Sequence, residues 1–283
     1  MEILKTAEAM QEWSDRIRAS GRRIGFVPTM GALHEGHISL IRKSVSAADI
    51  TVVSIFVNPK QFGQNEDLDK YPRDLDKDLK ILAENSVDIL FNPSASEIYP
   101  ADYQTYVEVS GITKRLEGAS RPDHFKGVST IVNMLFNIVN PDIAVFGQKD
   151  AQQGAVIRKM VEDLKMGTQI LVEPIVREED GLAMSSRNVY LSEKERRDAA
   201  KIYKALRRGL KQIEDGERRA EKITDGIKEI ILEAESSRID YVSIADSAGF
   251  SEVSRLLNDS EYYILAACWI GGTRLIDNVK IKI

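Results

Sequence analysis

What the 283-residue chain has little of already narrows its function. It holds one cysteine, Cys268, so an internal disulfide framework is excluded and a reducing compartment fits. Cys268 falls in the apolar run Tyr262 to Ile270, where a buried structural thiol is expected rather than a nucleophile. No apolar run approaches the roughly 20 residues that a membrane span needs. The start, Met1 to Lys5, lacks the pattern of a secretory leader, so a cytoplasmic protein with no membrane partner is expected. Net charge is -5, and no basic stretch stands clear of acidic neighbours, which speaks against nucleic acid as a partner. Small anions need only a local site and stay possible. Neither an internal repeat nor a low-complexity tract is visible. Histidine is scarce as well: there are three, and two of them, His34 and His37, fall within four residues.

What is present is an ordinary globular inventory, 43% hydrophobic, enough for a sizeable core in one large domain or two modest ones. Periodicity predicts an amphipathic helix over 7–20 and buried strands at 24–27, 50–57, 87–91, just ahead of Gly147, and at 169–176. A further extended segment is expected at 105–109. Helices are expected after His37, at 74–84, 128–139 and 151–164, with 92–102 and 118–127 as loops. Strands alternating with helices point to an α/β fold, a Rossmann-like doubly wound parallel sheet over residues 1–180. The texture changes after Leu191. Ser192 followed by Glu195 reads as a capping box, two helices of dense mixed charge run to about residue 235, and strands follow at 239–245, 262–270 and 273–283. Basic residues such as Arg207, Arg208 and Lys211 alternate with acids there, as on a solvated face. These elements predict a smaller C-terminal α+β domain that opens between residues 177 and 190 and is taken as 181–283.

Four polar turns follow apolar strands, at residues 28–37, 58–64, 147–153 and 184–187. In a parallel sheet they share the strands' C-terminal edge, where open α/β sheets bind ligands, so one common cleft is expected. In the first turn Pro28 ends a strand, and Gly31 and Gly36 flank His34 and His37 at a helix N-terminus. The unpaired N–H groups and partial positive charge there favour a phosphate. A metal site, or rings that merely cap or pack, are the alternatives. The zinc-protease pattern needs histidines four apart and is not met. At Gly147-Gln-Lys-Asp150 the glycine permits close approach, Lys149 offers an ammonium to phosphate, and Asp150 offers a carboxylate to ribose hydroxyls. The alternative is an N-cap at Asp150 with Lys149 in solvent. Met184-Ser-Ser-Arg187 supplies hydroxyls and a guanidinium for anionic oxygens. Gln61 and Gln153 are neutral groups able to orient a carboxylate or hydroxyl.

The turn His34-Glu-Gly-His37 resembles the HxGH signature of the nucleotidyltransferase superfamily, which includes the class I aminoacyl-tRNA synthetases. Met184-Ser-Ser-Arg187 resembles their KMSKS-type loop. A closer resemblance, over essentially the whole chain, is to the pantothenate synthetase family. Phe26-Val-Pro-Thr-Met-Gly31, Phe56-Val-Asn-Pro-Lys-Gln-Phe-Gly63, Tyr71-Pro-Arg73, Phe146-Gly-Gln-Lys-Asp-Ala-Gln-Gln153 and Ala183-Met-Ser-Ser-Arg-Asn188 are similar to its motifs in order and spacing. Arg187 stands where a KMSKS lysine falls, as it does in that family.

The resemblance implies ATP-dependent condensation of pantoate with β-alanine through pantoyl adenylate, releasing AMP and pyrophosphate. It implies Mg2+ on the phosphates with no metal residue named, and a homodimer. It implies an ATP site that takes in Met30, Gly31, Ala32, Leu33, His34, Glu35, Gly36 and His37, with His37 as proton donor and His34 beside the phosphates. Gly147 and Asp150 belong to the same site at the ribose, Gln148 is part of the ATP site as well, Lys149 meets the phosphates, Val176 the adenine, and Met184, Ser185, Ser186 and Arg187 close over the triphosphate. Gln61 and Gln153 hold pantoate, Gln61 also lying near β-alanine. Closure of the 59–73 loop and of the small domain is expected to shield a mixed anhydride from water. The rivals are a transferase whose product keeps the nucleotide and an RNA-binding relative of the synthetases, which the acidic balance disfavours.

Overall fold

The computed structural model describes residues 1–64 and 66–283 of the chain. Strands β1 (Glu2–Leu4), β2 (Ile24–Thr29), β3 (Ile50–Ile55), β4 (Ile89–Phe91), β5 (Ile143–Gly147) and β6 (Gln169–Glu173) form a parallel sheet in the order β1-β4-β3-β2-β5-β6. Between them run α1 (Ala7–Ala19), α2 (Glu35–Ala47), α3 (Leu75–Glu84), the short α4 (Ala95–Ile98) and α5 (Glu117–Ser120), α6 (His124–Val139) and α7 (Ala151–Asp163). Successive side chains of a strand point to opposite faces. Phe26, Val52, Phe91 and Phe146 therefore pack with α1, α6 and α7, while Val27, Val53, Leu90 and Val145 pack with α2 and α3. Burial on both faces explains why these strands read as continuous apolar runs. The result is the doubly wound α/β sheet that the sequence predicts. Because β3 and β5 flank β2 on opposite sides, the winding reverses at β2, and a crevice opens beyond the C-terminal ends of β2 and β5.

The rest of the chain folds as α8 (Glu193–Glu214) and α9 (Ala220–Leu232) against an antiparallel sheet of β7 (Ser237–Asp246), β8 (Glu261–Ile270) and β9 (Thr273–Lys282). The predicted capping box opens α8: Glu195 Oε2 accepts the Ser192 N–H at 2.8 Å and Ser192 Oγ accepts the Glu195 N–H at 3.4 Å. Cys268 sits fully buried in this second core, where burial pushes its thiol up to about 12 and leaves it inert. No helix among the described residues is long and apolar enough to cross a membrane.

Several local expectations are corrected: the expected loops at 92–102 and 118–127 hold the short helices α4 and α5. The segment 105–109 is not a strand. It runs beside α6, where Thr130 Oγ1 accepts the Val107 N–H at 2.9 Å and Ser129 Oγ donates to the Val107 carbonyl at 2.6 Å, so helix hydroxyls replace a strand partner. Helix α6 begins at His124 rather than Val128, one turn into the expected loop, after Asp123 adopts a left-handed φ of 66°. The last parallel strand stops at Glu173 instead of Val176, because Pro174 has no N–H for the ladder.

Candidate active site

The histidine turn is built from both sides. After β2, Gly31 and Ala32 take left-handed φ values of 79° and 51°, which turns the chain into α2. Asp78 of α3, 1% exposed, accepts the Ala32 N–H at 2.9 Å and the Leu33 N–H at 2.8 Å. The two imidazoles then cap α2 reciprocally: His34 Nδ1 accepts the Gly36 N–H at 3.1 Å and His37 Nδ1 accepts the His34 N–H at 3.3 Å. Their ring centroids lie 4.1 Å apart. A Cβ at position 36 would meet His34 Cε1 at 2.8 Å, so the folded-back ring requires the glycine between the histidines. With Nδ1 accepting in both rings, the proton of each neutral imidazole sits on Nε2. Burial, reinforced by the Lys149 ammonium, lowers His34 to about 4; burial, with His34 and Lys149 adding to it, lowers His37 to about 3. The pair are neutral hydrogen-bond donors at neutral pH.

The second crevice wall comes from the turn after β5. Asp150 makes no capping bond to α7, so the N-cap alternative does not hold, and among the described residues its carboxylate takes part in no ion pair. No carboxylate among the described residues lies within 4.0 Å of Lys149 Nζ. Over the top, Ser186 Oγ donates to the Ala32 carbonyl at 3.1 Å, and Arg187 grips Asp67 through two bonds of 2.8 Å. The 59–73 and 184–187 loops thus meet above the histidines.

At the far end, Asn58, 1% exposed, donates to Gln61 Oε1 and to the Gly127 carbonyl, both at 3.1 Å. A Cβ on Gly127 would fall 2.2 Å from the Lys60 carbonyl, so glycine lets α6 close against the turn carrying Gln61. His124 Nδ1 lies 2.9 Å from the Gln61 carbonyl, and Arg121 pairs with Glu66 at 2.6 Å. Burial, with the Arg121 charge, lowers His124 to about 4. Val128, Ile131, Val132 and Leu135 of α6 form an apolar recess beside these polar groups.

One cleft of about 230 Å³ is therefore lined by Met30, His34, Gly36, His37, Gln61, Gly147, Lys149, Asp150, Gln153, Val176 and Met184 to Arg187. Gly31, Ala32 and Leu33 stand behind the turn, Glu35 lies half exposed 3.9 Å from Arg42, and Gln148 turns away to Asn278 of β9. Asn58, in the 58–64 turn, and Tyr71, in the Tyr71-Pro-Arg73 motif, also line the cleft; Arg121 and His124 line it too and escaped the sequence reading. For those two the one available signal was a third histidine within a basic loop, Arg121-Pro-Asp-His124. Asp150 is the single carboxylate among the described lining residues, and no group of three or more His, Cys, Asp or Glu among the described residues could hold a metal.

A family model described as pantoate-beta-alanine ligase matches residues 2–280. The chain is 50% identical over 278 residues to a pantothenate synthetase of Thermotoga petrophila, covering 98% of this chain and 99% of the relative. It is 51% identical to one of Heliobacterium modesticaldum over the full length of both. Among solved structures, the pantothenate synthetase of Thermus thermophilus matches with a TM-score of 0.94 at 39% identity over both whole chains. A pantoate-beta-alanine ligase of Francisella tularensis, described as complexed with beta-gamma ATP and beta-alanine, matches with a TM-score of 0.81 at 38% identity, covering 99% of this chain and 97% of that one.

Proposed function

The chain belongs to the pantoate-β-alanine ligase family, and from that premise we propose that its cleft joins pantoate to β-alanine in two steps. A carboxylate is a poor acyl donor, so activation precedes amide formation. A pantoate carboxylate oxygen attacks the α-phosphorus of ATP in line, the bond to the bridging oxygen breaks, and pyrophosphate leaves. The β-alanine nitrogen then attacks the acyl carbon of pantoyl adenylate, the bond to the phosphate oxygen breaks, AMP leaves, and the amine proton passes to solvent. No bond to the protein forms.

The observation that carries this reading is the pair of neutral Nε2–H donors at the helix start beside Lys149, whose ammonium has no carboxylate partner among the described residues. Donors fixed in advance where charge builds up stabilise a transition state without reorganising. His37 and His34 therefore donate hydrogen bonds to phosphate oxygens, with Lys149 supplying charge. Arg187 exchanges Asp67 for a phosphate. Asp150 accepts ribose hydroxyls, Gly147 and Val176 border the nucleoside, and Ser185 and Ser186 close over the triphosphate. Gln61 and Gln153 hold pantoate against the apolar recess. Among the described lining residues Asp150 is the one carboxylate a divalent cation could use, so Mg2+ would be held chiefly by the nucleotide and would supply further charge there. The 59–73 loop is the moving cover, the enzyme is a homodimer, and it works in the cytoplasm.

The test is pantoate-dependent exchange of labelled pyrophosphate into ATP without β-alanine. Exchange with pantoate alone, and AMP release only when both substrates are present, is the expected result. Absence of exchange in a preparation that still makes pantothenate, or a product that keeps its nucleotide, overturns the two-step reading.

A further inference from the structure

Strand β9 carries an asparagine, Asn278, in register with Leu265 of β8 and 2% exposed. Asparagine is a poor strand residue, and burying its amide is costly unless its polar atoms are matched. Every match of this side chain lies outside its own sheet. Nδ2 donates to the carbonyls of Gln148 at 2.9 Å and Lys149 at 3.0 Å, and Oδ1 accepts from Gln148 Nε2 at 3.2 Å. The preceding residue, Asp277, 3% exposed, takes two bonds from Arg177 at 2.7 and 2.9 Å and accepts the Asn278 N–H at 2.7 Å. Arg177 follows Val176 in the chain and stacks on the Tyr203 ring at 3.7 Å. Two adjacent residues of β9 thus fasten the turn that carries Lys149 and the segment that follows Val176. A residue that breaks the local rule of its strand, and is compensated only at the cleft, points to a role there.

We propose that Asn278 is a positioning residue for the first half-reaction: by clasping the carbonyls of residues 148 and 149 it sets where the Lys149 ammonium sits. Lys149 needs such a clasp, since its long stem is flexible and no carboxylate among the described residues lies within 4.0 Å of its ammonium. The demand is specific to adenylation, because pyrophosphate has left before the amine attacks. This inference rests on the two-step reading above.

The experiment compares Asn278→Ala with the parent enzyme in two assays: pantoate-dependent pyrophosphate exchange, and transfer from chemically prepared pantoyl adenylate to β-alanine. A displacement near 1 Å at a reacting centre costs about 100-fold, so exchange is expected to fall by about that factor. Transfer should stay within about twofold, and Asn278→Ala should slow Lys149→Met by less than about twofold, since both act through one ammonium. Equal losses in the two assays, or losses that multiply with Lys149→Met, make Asn278 merely structural and overturn the proposal. If Asn278→Ala does not fold, Asn278→Ser, which keeps one donor, is read the same way. A parent that shows no exchange sinks the two-step reading; a parent that exchanges, beside an Asn278→Ala that matches it, sinks the positioning role alone.

Discussion

Helices α2 and α8 begin with the same difficulty, a first turn of N–H groups that have no partner inside the helix. Each answers with a reciprocal pair of side chains three positions apart. At α8 these are Ser192 and Glu195, exposed to water and held at 2.8 and 3.4 Å. At α2 they are His34 and His37, partly buried in the cleft and held at 3.1 and 3.3 Å. A Glu carboxylate that caps has no proton left to give, whereas an imidazole that accepts through Nδ1 carries a donor at the opposite corner of a rigid ring. The difference teaches that a capping position can serve a ligand when the capping group is two-sided. The cost is burial of two rings whose charged forms are suppressed.

The largest effect should come from erasing that difference. Replacing the imidazoles by the α8 solution, His34→Ser with His37→Glu, keeps a capping box but removes both outward donors. One lost donor in such a site costs about 100- to 1000-fold, so with two lost pyrophosphate exchange is expected to fall by about 1000-fold or more, while circular dichroism shows a folded protein. Exchange within about tenfold of the parent would separate the histidines from the chemistry. Next is Asp78→Asn. The amide has one acceptor for two N–H groups and turns its own NH2 toward the other, so the histidine turn shifts, and exchange should drop by about 10- to 100-fold. A rate matching the parent would mean that the turn holds its shape without α3.

The pH dependence sharpens the comparison further. His34 and His37 titrate below 6.5 in the folded protein, so the unfolded chain binds protons first. Their contribution to stability is complete above about pH 6.5 and is lost as pH falls toward about 4 and about 3. Bonds from the Ser192 hydroxyl and N–H lower Glu195 from 4.5, so the loss at the α8 cap is confined to more acid solution. Urea midpoints should therefore start to fall below about pH 6.5 in the parent. In the double variant the decline should be smaller, with His124 still contributing. Histidine ring resonances that titrate near 6.5 would contradict the buried neutral pair. The smallest effect on activity belongs to Ser192→Ala: exchange within about twofold of the parent, and a stability loss of about 1 kcal/mol in denaturant titration.

Much of the fold was readable because the physics behind it is local. Strands buried on both faces are mostly apolar, as at Ile50 to Ile55, where only Thr51 and Ser54 carry a polar group, and Ser192 with Glu195 announces a helix start within four residues. The segment 105–109 misled because Tyr106, Val107 and Val109 have strand composition, while its hydrogen-bond partners are hydroxyls of α6. Within the cleft, the turns with glycine and clustered polar residues could be picked out one by one. Arg121 and His124 could not, since each matters through its meeting with the Gln61 turn, as at the 63-residue separation of His124 from Gln61. Asp78 and Asn278 were less visible still: their partners lie 45 and 130 positions away, and neither residue type marks a site by itself.

The order of residues alone determined the alternation of strands and helices, the change of texture after Leu191, and the histidine pair beside its glycine, because backbone period, capping and close approach are settled among near neighbours. Only the tertiary structure decided the strand order that splits at β2, the Asp67 carboxylate on Arg187, and the clasp of Asn278 on the Lys149 turn. Those depend on which distant segments are brought into contact, and a hydrogen bond between groups far apart in the chain leaves no periodic trace in the sequence.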